Sequence, residues 1–338
     1  MIKLISPENN ECVSLLTEKQ KSFFKDEPAR AAIVDYDGFR WYAPEMAGVD
    51  MTAPAPVKLS WDDDVPGDGA YLVLIAQNEA LESPIIKVTN DKHIDVYNLY
   101  IGTTYYWCVQ REGTRSDLST FSTSTETPRS IKADGLVNIR DLGGYGVPGG
   151  VVRQGLVYRG CEIENNMHVR AQGLSDFLAL GIRTQIDLRL PTEIYQYRIL
   201  DPFGIKHIPI STAPYMSLFS DEYREKYRRI FSIFADKNAY PIYFHCIAGA
   251  DRTGSLALML NAFLGVDLKD LIDDYEFTSL STWGIRTRNH IHFKEMLEKF
   301  GEFKGNTFRE QVTDYLLSFL GVTEQQLKCI EDIMLDKS

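Results

Sequence analysis

The strongest chemistry in this chain rests on Cys246 and Arg252, six positions apart. Cys246 follows the apolar run Pro241-Ile242-Tyr243-Phe244 and His245. Ile247, Ala248, Gly249, Ala250 and Asp251 separate it from Arg252, and Thr253 and Gly254 come next. The run, a Gly-bearing turn and the segment Ser255-Leu256-Ala257-Leu258-Met259-Leu260 predict a strand, a loop and a helix, with Cys246 at the strand's exit. That arrangement aims the amides from Ile247 to Arg252 and the positive end of a helix at one point, a ready cradle for a phosphoryl group. The same field acts on the sulfur. A free thiol titrates near ~8.5, and a helix N-terminus with a neighbouring guanidinium lowers that value by units, so Cys246 is expected to rest as a thiolate nucleophile. The planar fork of Arg252 can hold two phosphoryl oxygens at once, which a lysine could not. Gly249 lets the backbone approach closely, the Thr253 hydroxyl is placed to stabilise the departing sulfur, and Gly254 permits tight packing under the loop. The bland alternative is a buried strand-end cysteine beside a structural arginine.

Cys-x5-Arg-Thr preceded by His resembles the cysteine-dependent phosphatase superfamily of tyrosine, dual-specificity and phosphoinositide phosphatases. Asn138-Ile139-Arg140-Asp141-Leu142-Gly143-Gly144-Tyr145, Val157-Tyr158-Arg159-Gly160, and Gly181 to Arg189 with Glu193 follow in the order seen in its atypical bacterial tyrosine and phosphoinositide branch. Asp274-Tyr275 also fits that branch, and the resemblance covers roughly residues 130 to 320. It implies hydrolysis of a phosphomonoester through a phosphocysteine, with no cofactor and no metal. Ala250 departs from the pattern, since the branch commonly has Lys there. Its absence leans away from a second phosphate and toward a monophosphorylated substrate. Phosphotyrosine protein is the expected substrate class. Phosphoinositide headgroups or inositol phosphates are the alternative, and a module that captures phosphate without turnover is the competing class.

Expulsion of the ester oxygen calls for a general acid. Asp251, beside Arg252 as in the myotubularins, is the candidate, and the neighbouring thiolate is expected to raise its pKa. A helix N-terminal carboxylate with a purely structural role is the competing reading. Asp141 and Asp187 are the runners-up, and Asp187 could equally pair with Arg189 or Arg140 as scaffold. A mobile-loop acid would be sought from Ile208 to Ser220, but the first carboxylate after Asp201 is Asp221.

At 338 residues, 44% of them hydrophobic, the chain has material for two cores. A net charge of -11 argues against nucleic acid and gives no general attraction to anionic bilayers. Five scattered cysteines show neither zinc spacing nor a disulfide framework, which points to a reducing compartment. No stretch approaches the ~20 apolar residues of a membrane span and the first residues are too short an apolar run for a signal peptide, so a cytoplasmic location is expected, or secretion if a leader has been removed.

The fold expected is multidomain: an N-terminal all-β sandwich plus a C-terminal α/β phosphatase domain. Residues 53–127 break into short β-rich segments around Val57–Trp61, Ala70–Ile75, Ile85–Thr89 and Thr103–Val109. They resemble a fibronectin type III module, with Tyr105 as its corner tyrosine and Trp61 in its core. Its partner is not legible. Residues 1–52 read as an extension packing on or tethering that sandwich, with a short helix near Thr17 to Lys21. Residues 128–338 form the phosphatase part, with strands near 156–159, 183–188, 206–210 and 241–245, and helices near 255–265, 268–280, 288–299, 306–319 and 323–335. Arg286, Arg288, His290, His292 and Lys294 make a basic patch read as a solvated face. His290 and His292 are two apart, which on a helix separates them, so no metal is expected. Cys161 is read as an ordinary buried thiol rather than a disulfide partner for Cys246.

Overall fold

A computed structural model describes residues 1–33, 50–64, 67–194 and 197–337. The chain divides into two compact units, Met1–Thr17 with Pro54–Arg129, and the described residues of Glu18–Ala53 with those of Ser130–Ser338. The first 52 residues, expected as a single extension, are thus shared between the two units.

The first unit is built of strands: β1 (Ile2–Ser6), β2 (Glu11–Val13), β3 (Val57–Asp63), β4 (Tyr71–Ala76), β5 (Ile85–Thr89), β6 (His93–Val96), β7 (Thr104–Arg111), β8 (Thr114–Arg115) and β9 (Ser119–Thr123). One sheet runs β1-β3-β6 and another β2-β9-β7-β4-β5, with β8 on β7. All pairings are antiparallel except β2 with β9. Alternation decides which face is buried. Val57, Leu59 and Trp61 on β3 and Tyr71, Val73 and Ile75 on β4 join Tyr105, Trp107 and Phe121 in one apolar core. Tyr105 is buried, and its hydroxyl accepts the Tyr100 amide at 2.8 Å. Burial pushes its phenol up to about 12.

In the second unit, helices α1 (Glu18–Lys25) and α2 (Glu27–Ala32) precede a five-stranded sheet. Its strands are β10 (Arg140–Asp141), β13 (Val157–Gly160), β14 (Thr184–Asp187), β15 (Lys206–Pro209) and β16 (Ile242–His245). The short β11 (Gly146–Val147), β12 (Gly150–Val152) and β17 (Leu335–Asp336) form a separate antiparallel ribbon. The main sheet has the order β10-β13-β16-β14-β15, parallel except at β10. β16 is therefore central, and all four of its residues are buried, as expected of a parallel strand covered on both faces. Each fully buried side chain such as Ile242 or Phe244 stabilises the fold by roughly 1.5–3 kcal/mol.

The remaining helices are α3 (Ala171–Leu178), α4 (Asp221–Phe234), α5 (Asp251–Leu264), α6 (Leu268–Phe277), α7 (Ile291–Phe300), α8 (Phe308–Asp314) and α9 (Glu324–Met334). Every residue of α5 from Thr253 to Leu264 is buried, the mark of a helix in the middle of a core rather than on its surface. Gly265 ends it at φ 100°, where its amide and that of Val266 return to the last carbonyls. Among the described residues no helix is long and apolar enough to cross a membrane.

Candidate active site

Cys246 leaves the C-terminal end of the central strand, where open α/β sheets place their ligand sites. Four successive carbonyls, beginning with its own, are anchored. That of Cys246 accepts from His245 Nδ1 at 3.0 Å, and that of Ile247 from the Glu162 amide at 2.9 Å. The Ala248 carbonyl accepts from Asn138 Nδ2 at 3.1 Å, and the Gly249 carbonyl from Asn138 Nδ2 at 3.3 Å and Arg159 Nη2 at 2.8 Å. In a planar trans peptide the N–H points opposite its carbonyl, so the amides of Ile247 through Ala250 are turned away from these anchors. Helix α5 begins at Asp251 immediately after. Gly249 is required twice over: its φ is +69°, and a Cβ there would lie 2.4 Å from the Gly160 carbonyl carbon.

The anchors are themselves braced. Asp274 on α6 bridges Arg140 Nε at 2.5 Å and Arg159 Nη1 at 2.6 Å, and Arg140 Nη1 donates to Asn138 Oδ1 at 2.5 Å. Burial would raise the Asp274 carboxyl, but the two guanidiniums hold it below the usual carboxylate range. Burial, with Arg140 as a like-charged neighbour, lowers Arg159 to about 10 despite that carboxylate.

His245 is buried and its pKa is lowered by desolvation. A neutral ring satisfies both contacts, with Nδ1–H donating to the Cys246 carbonyl and Nε2 accepting from Gln185 Nε2 at 2.9 Å. The runner-up Asp187 takes Arg189 as its partner, at 2.8 and 3.0 Å, together with His207 at 3.2 Å. Arg140, the other arginine considered for it, is held by Asp274. Burial would raise Asp187, but the hydrogen bonds from His207 and Arg189 and the Arg189 charge pull it far down. Asp141 serves the backbone, accepting from the amides of Gly143 at 2.8 Å and Gly155 at 2.6 Å. Both carboxylates are engaged by these partners within the fold.

Arg252 is oriented by Glu193, whose carboxylate accepts from Nη1 at 2.7 Å. Burial would lower its pKa, but Glu193 and the nearby Cys246 raise it, so the guanidinium stays charged. Asp251 faces a different arginine. Arg286 grips it with two bonds, Nε to Oδ1 at 2.6 Å and Nη2 to Oδ2 at 2.8 Å, and the Tyr215 hydroxyl also donates to Oδ1. Tyr215 meets the Tyr275 hydroxyl at 2.9 Å, and His290 and His292 lie against the Tyr215 ring. The expected rise in the pKa of Asp251 is not found. Burial does push it up, but Arg286 together with the Tyr215 hydroxyl and His290 outweighs burial, and the carboxyl lies below its ordinary value.

Sequence reasoning therefore misplaced Arg286, which is mostly buried against Asp251 rather than part of a solvated face. Arg288 likewise pairs with Glu276 and Glu27. His290 and His292 come within 5.4 Å, ring to ring, because His290 precedes α7 rather than lying on it. Tyr215 was missed altogether. Its one signal in the sequence is its place in the segment from Ile208 to Ser220, where a mobile-loop acid would stand and no carboxylate does. Among the described residues the buried Thr253 hydroxyl has no hydrogen-bond partner, so the expected contact with sulfur is not made. A Cβ at Gly254 would meet nothing closer than Arg159 Nη2 at 3.4 Å, a looser fit than expected. Cys161 is a buried thiol pushed up to about 12 by desolvation, and its sulfur accepts the Val137 amide at 3.3 Å. It belongs with Tyr158 and Tyr243 to one apolar cluster, whereas Cys246 belongs with Phe244 to another.

Among solved structures, the core catalytic domain of the PP-IP phosphatase SIW14 from S. cerevisiae, in complex with citrate, is similar at 20% identity. It covers 36% of this chain and 71% of that one with a TM-score of 0.28, and a second structure of the same catalytic core gives the same TM-score over 70% of its length. A Cupriavidus necator protein, provisionally named a tyrosine-protein phosphatase, is 29% identical over 177 residues, which are 45% of this chain and 64% of that protein. The chain thus spans less than two thirds of that relative's length. Residues 131–336 match the tyrosine phosphatase family, a stretch that holds Asn138, the whole signature loop and Arg286, and the chain belongs to that family.

Proposed function

We propose that this protein hydrolyses phosphomonoesters through a phosphocysteine, with phosphotyrosine protein as its substrate class. The observation that carries this reading is the anchoring of the carbonyls from Cys246 to Gly249. It leaves the amides of Ile247 to Ala250 to receive a phosphoryl group beside the Cys246 sulfur, with Arg252, oriented by Glu193, at the end of the loop. In the first step Cys246 Sγ bonds to phosphorus, the P–O ester bond breaks, and Asp251 protonates the leaving oxygen. In the second, water attacks phosphorus, gives its proton to the Asp251 carboxylate, and the S–P bond breaks to release phosphate.

The Arg286 pair bears on where the first proton comes from. Asp251 is held ionised, which suits the base of the second step. A phosphomonoester monoanion, whose second ionisation lies near ~6, can hand its own proton to Asp251 for relay to the leaving oxygen. Residues 53–127 are read as a fibronectin type III-like sandwich, supported by the Tyr105 hydroxyl closing on the Tyr100 amide and by Trp61 in the shared core.

Steady-state hydrolysis of a phosphotyrosine peptide, a phosphoserine peptide, a phosphoinositide and an inositol phosphate by wild type, Cys246→Ser and Asp251→Asn tests the reading. Loss of all turnover in Cys246→Ser, with Asp251→Asn slowed most on poor leaving groups, is expected. A phosphoinositide or inositol phosphate as the best substrate would replace the substrate class, and no turnover by wild type would leave phosphate capture.

A further inference from the structure

The family match begins at residue 131, yet α1, α2 and residues 50–53 belong to the same compact unit as the signature loop. They are joined to it by charge and by backbone. Arg30 on α2, only 1% exposed, donates to Asp273 at 2.9 Å and Glu276 at 2.8 Å, both on α6. Arg288 reaches the same Glu276 at 2.8 Å and also pairs with Glu27 on α2. The carbonyls that end α2 are occupied too. Asn289 Nδ2 donates to Ala31 O at 2.7 Å and Ile33 O at 3.0 Å, and Thr287 Oγ1 donates to Ile33 O at 2.7 Å. Arg286 is the residue just before this joint, and Ser279 pins its backbone by accepting its amide at 2.8 Å and donating to its carbonyl at 2.7 Å. On the other side of the loop, Thr52 Oγ1 accepts the amide of Asn138, whose side chain holds the Ala248 and Gly249 carbonyls.

We propose that the segment before the family domain is a positioning element of the active site, clamping residues 285–290 so that Arg286 grips Asp251 and thereby sets the pH range in which Asp251 acts as base. The inference rests on the reading of Asp251 given above. A two-bond guanidinium–carboxylate pair is directional, so its strength depends on where the backbone carrying the arginine is held. The stretch from Ser281 to His290 lies outside regular helix and strand, and the joints to α2 supply the fixation that regular structure would otherwise give. The groups facing Asp251 are Arg286 and His290 from that stretch, Tyr215 from the turn after β15, Tyr275 from α6, and Arg252 from its own helix. Arg286 is the one that meets both carboxylate oxygens, so slackening the clamp removes the largest specific influence on the carboxyl.

The experiment follows the titration of the Asp251 carboxyl by 13C NMR in the full chain, with Asp251→Asn to assign the signal, alongside the pH profile of kcat on a phosphotyrosine peptide. Arg286→Met sets the maximum effect, an upward move of the Asp251 midpoint and of the acidic limb of kcat by ~1–3 pH units. Asn289→Ala and Arg30→Met are expected to move both in the same direction by a smaller amount. Arg286→Lys, which keeps the charge without the fork, should fall between wild type and Arg286→Met. If Arg30→Met fails to fold, Asn289→Ala alone decides. An Asp251 midpoint unmoved in Asn289→Ala, or unmoved in Arg286→Met, overturns the proposal. The NMR titration needs no turnover, so absence of phosphatase activity in wild type would overturn the functional reading separately.

Discussion

Two carboxylates meet arginines on either side of one loop, and their surroundings assign them different work. Beneath the loop, Asp274 is 16% exposed and its partners Arg140 and Arg159 are at most 1% exposed. At the loop's mouth, Asp251 is 32% exposed and Arg286 19%. Water can compensate a charge left alone at the mouth but not one left alone beneath. The deep pair therefore belongs to stability, because it fixes the anchors that turn the loop amides. The mouth pair suits the chemistry proposed for Asp251, because its carboxyl can change protonation state at modest cost to the fold.

Asp274→Asn attacks the deep side and should have the largest effect, since it leaves two buried guanidiniums short of charge. A loss of ~3–5 kcal/mol in urea unfolding is expected. Asp251→Asn measured in parallel should lose much less, and equal losses would erase the distinction between the two sides. Gly249→Ala comes next. The left-handed backbone alone costs ~1–3 kcal/mol with a side chain present, and the approach to Gly160 adds to it. Phosphate affinity should fall with stability in this variant, because the carbonyl it displaces is one that Asn138 and Arg159 hold.

The pH dependence of stability separates His245 from both carboxylates. His245 has a folded pKa below its unfolded value near ~6.5. The unfolded state then binds more protons below that pH, so stability is full above it and falls as pH drops, by at most about 1.4 kcal/mol per unit for one group. Asp274 and Asp251 are also depressed. Their contribution is present above the unfolded value near ~3.9 and is lost only as pH falls through the folded one. Thermal unfolding should therefore decline in two stages, the first between about pH 7 and 5. His245→Asn, which keeps a donor for the Cys246 carbonyl, should remove the first stage and leave the second. A single decline below pH 4 in wild type would show that His245 is not held neutral.

What could be read in the sequence was what lies close together along it. Cys246 through Gly254 is one contiguous run, so the strand, loop and helix were legible, and Asp251 was named. The strands at 157–160, 184–187, 206–209 and 242–245 lie close to where the sequence placed them, and Ile242-Tyr243-Phe244 shows the unbroken apolar signature of a parallel strand buried on both faces. The protonation bias of Asp251 was not legible, since its partner stands 35 residues on in a run whose composition reads as surface. Tyr215 escaped for the same reason: its role depends on the tertiary meeting with Asp251 and Tyr275. The docking of α2 escaped too. Six residues are too few to hold a helix by propensity, and it is Arg30, buried between two carboxylates of α6, that fixes it there.

Thr253 offers the smallest and most discriminating test, because it lies between the two sides, at the start of α5. Its hydroxyl is buried with no hydrogen-bond partner among the described residues, and such a group carries an uncompensated desolvation cost. Thr253→Val should therefore leave stability within ~1 kcal/mol of wild type, or raise it slightly. If the hydroxyl serves the sulfur only when Cys246 departs from phosphorus, turnover should drop in the same variant while binding of inorganic phosphate holds. A clear loss of stability would mean instead that the hydroxyl is spent within the fold, and Thr253 would then belong with Asp274 beneath the loop rather than with Asp251 at its mouth.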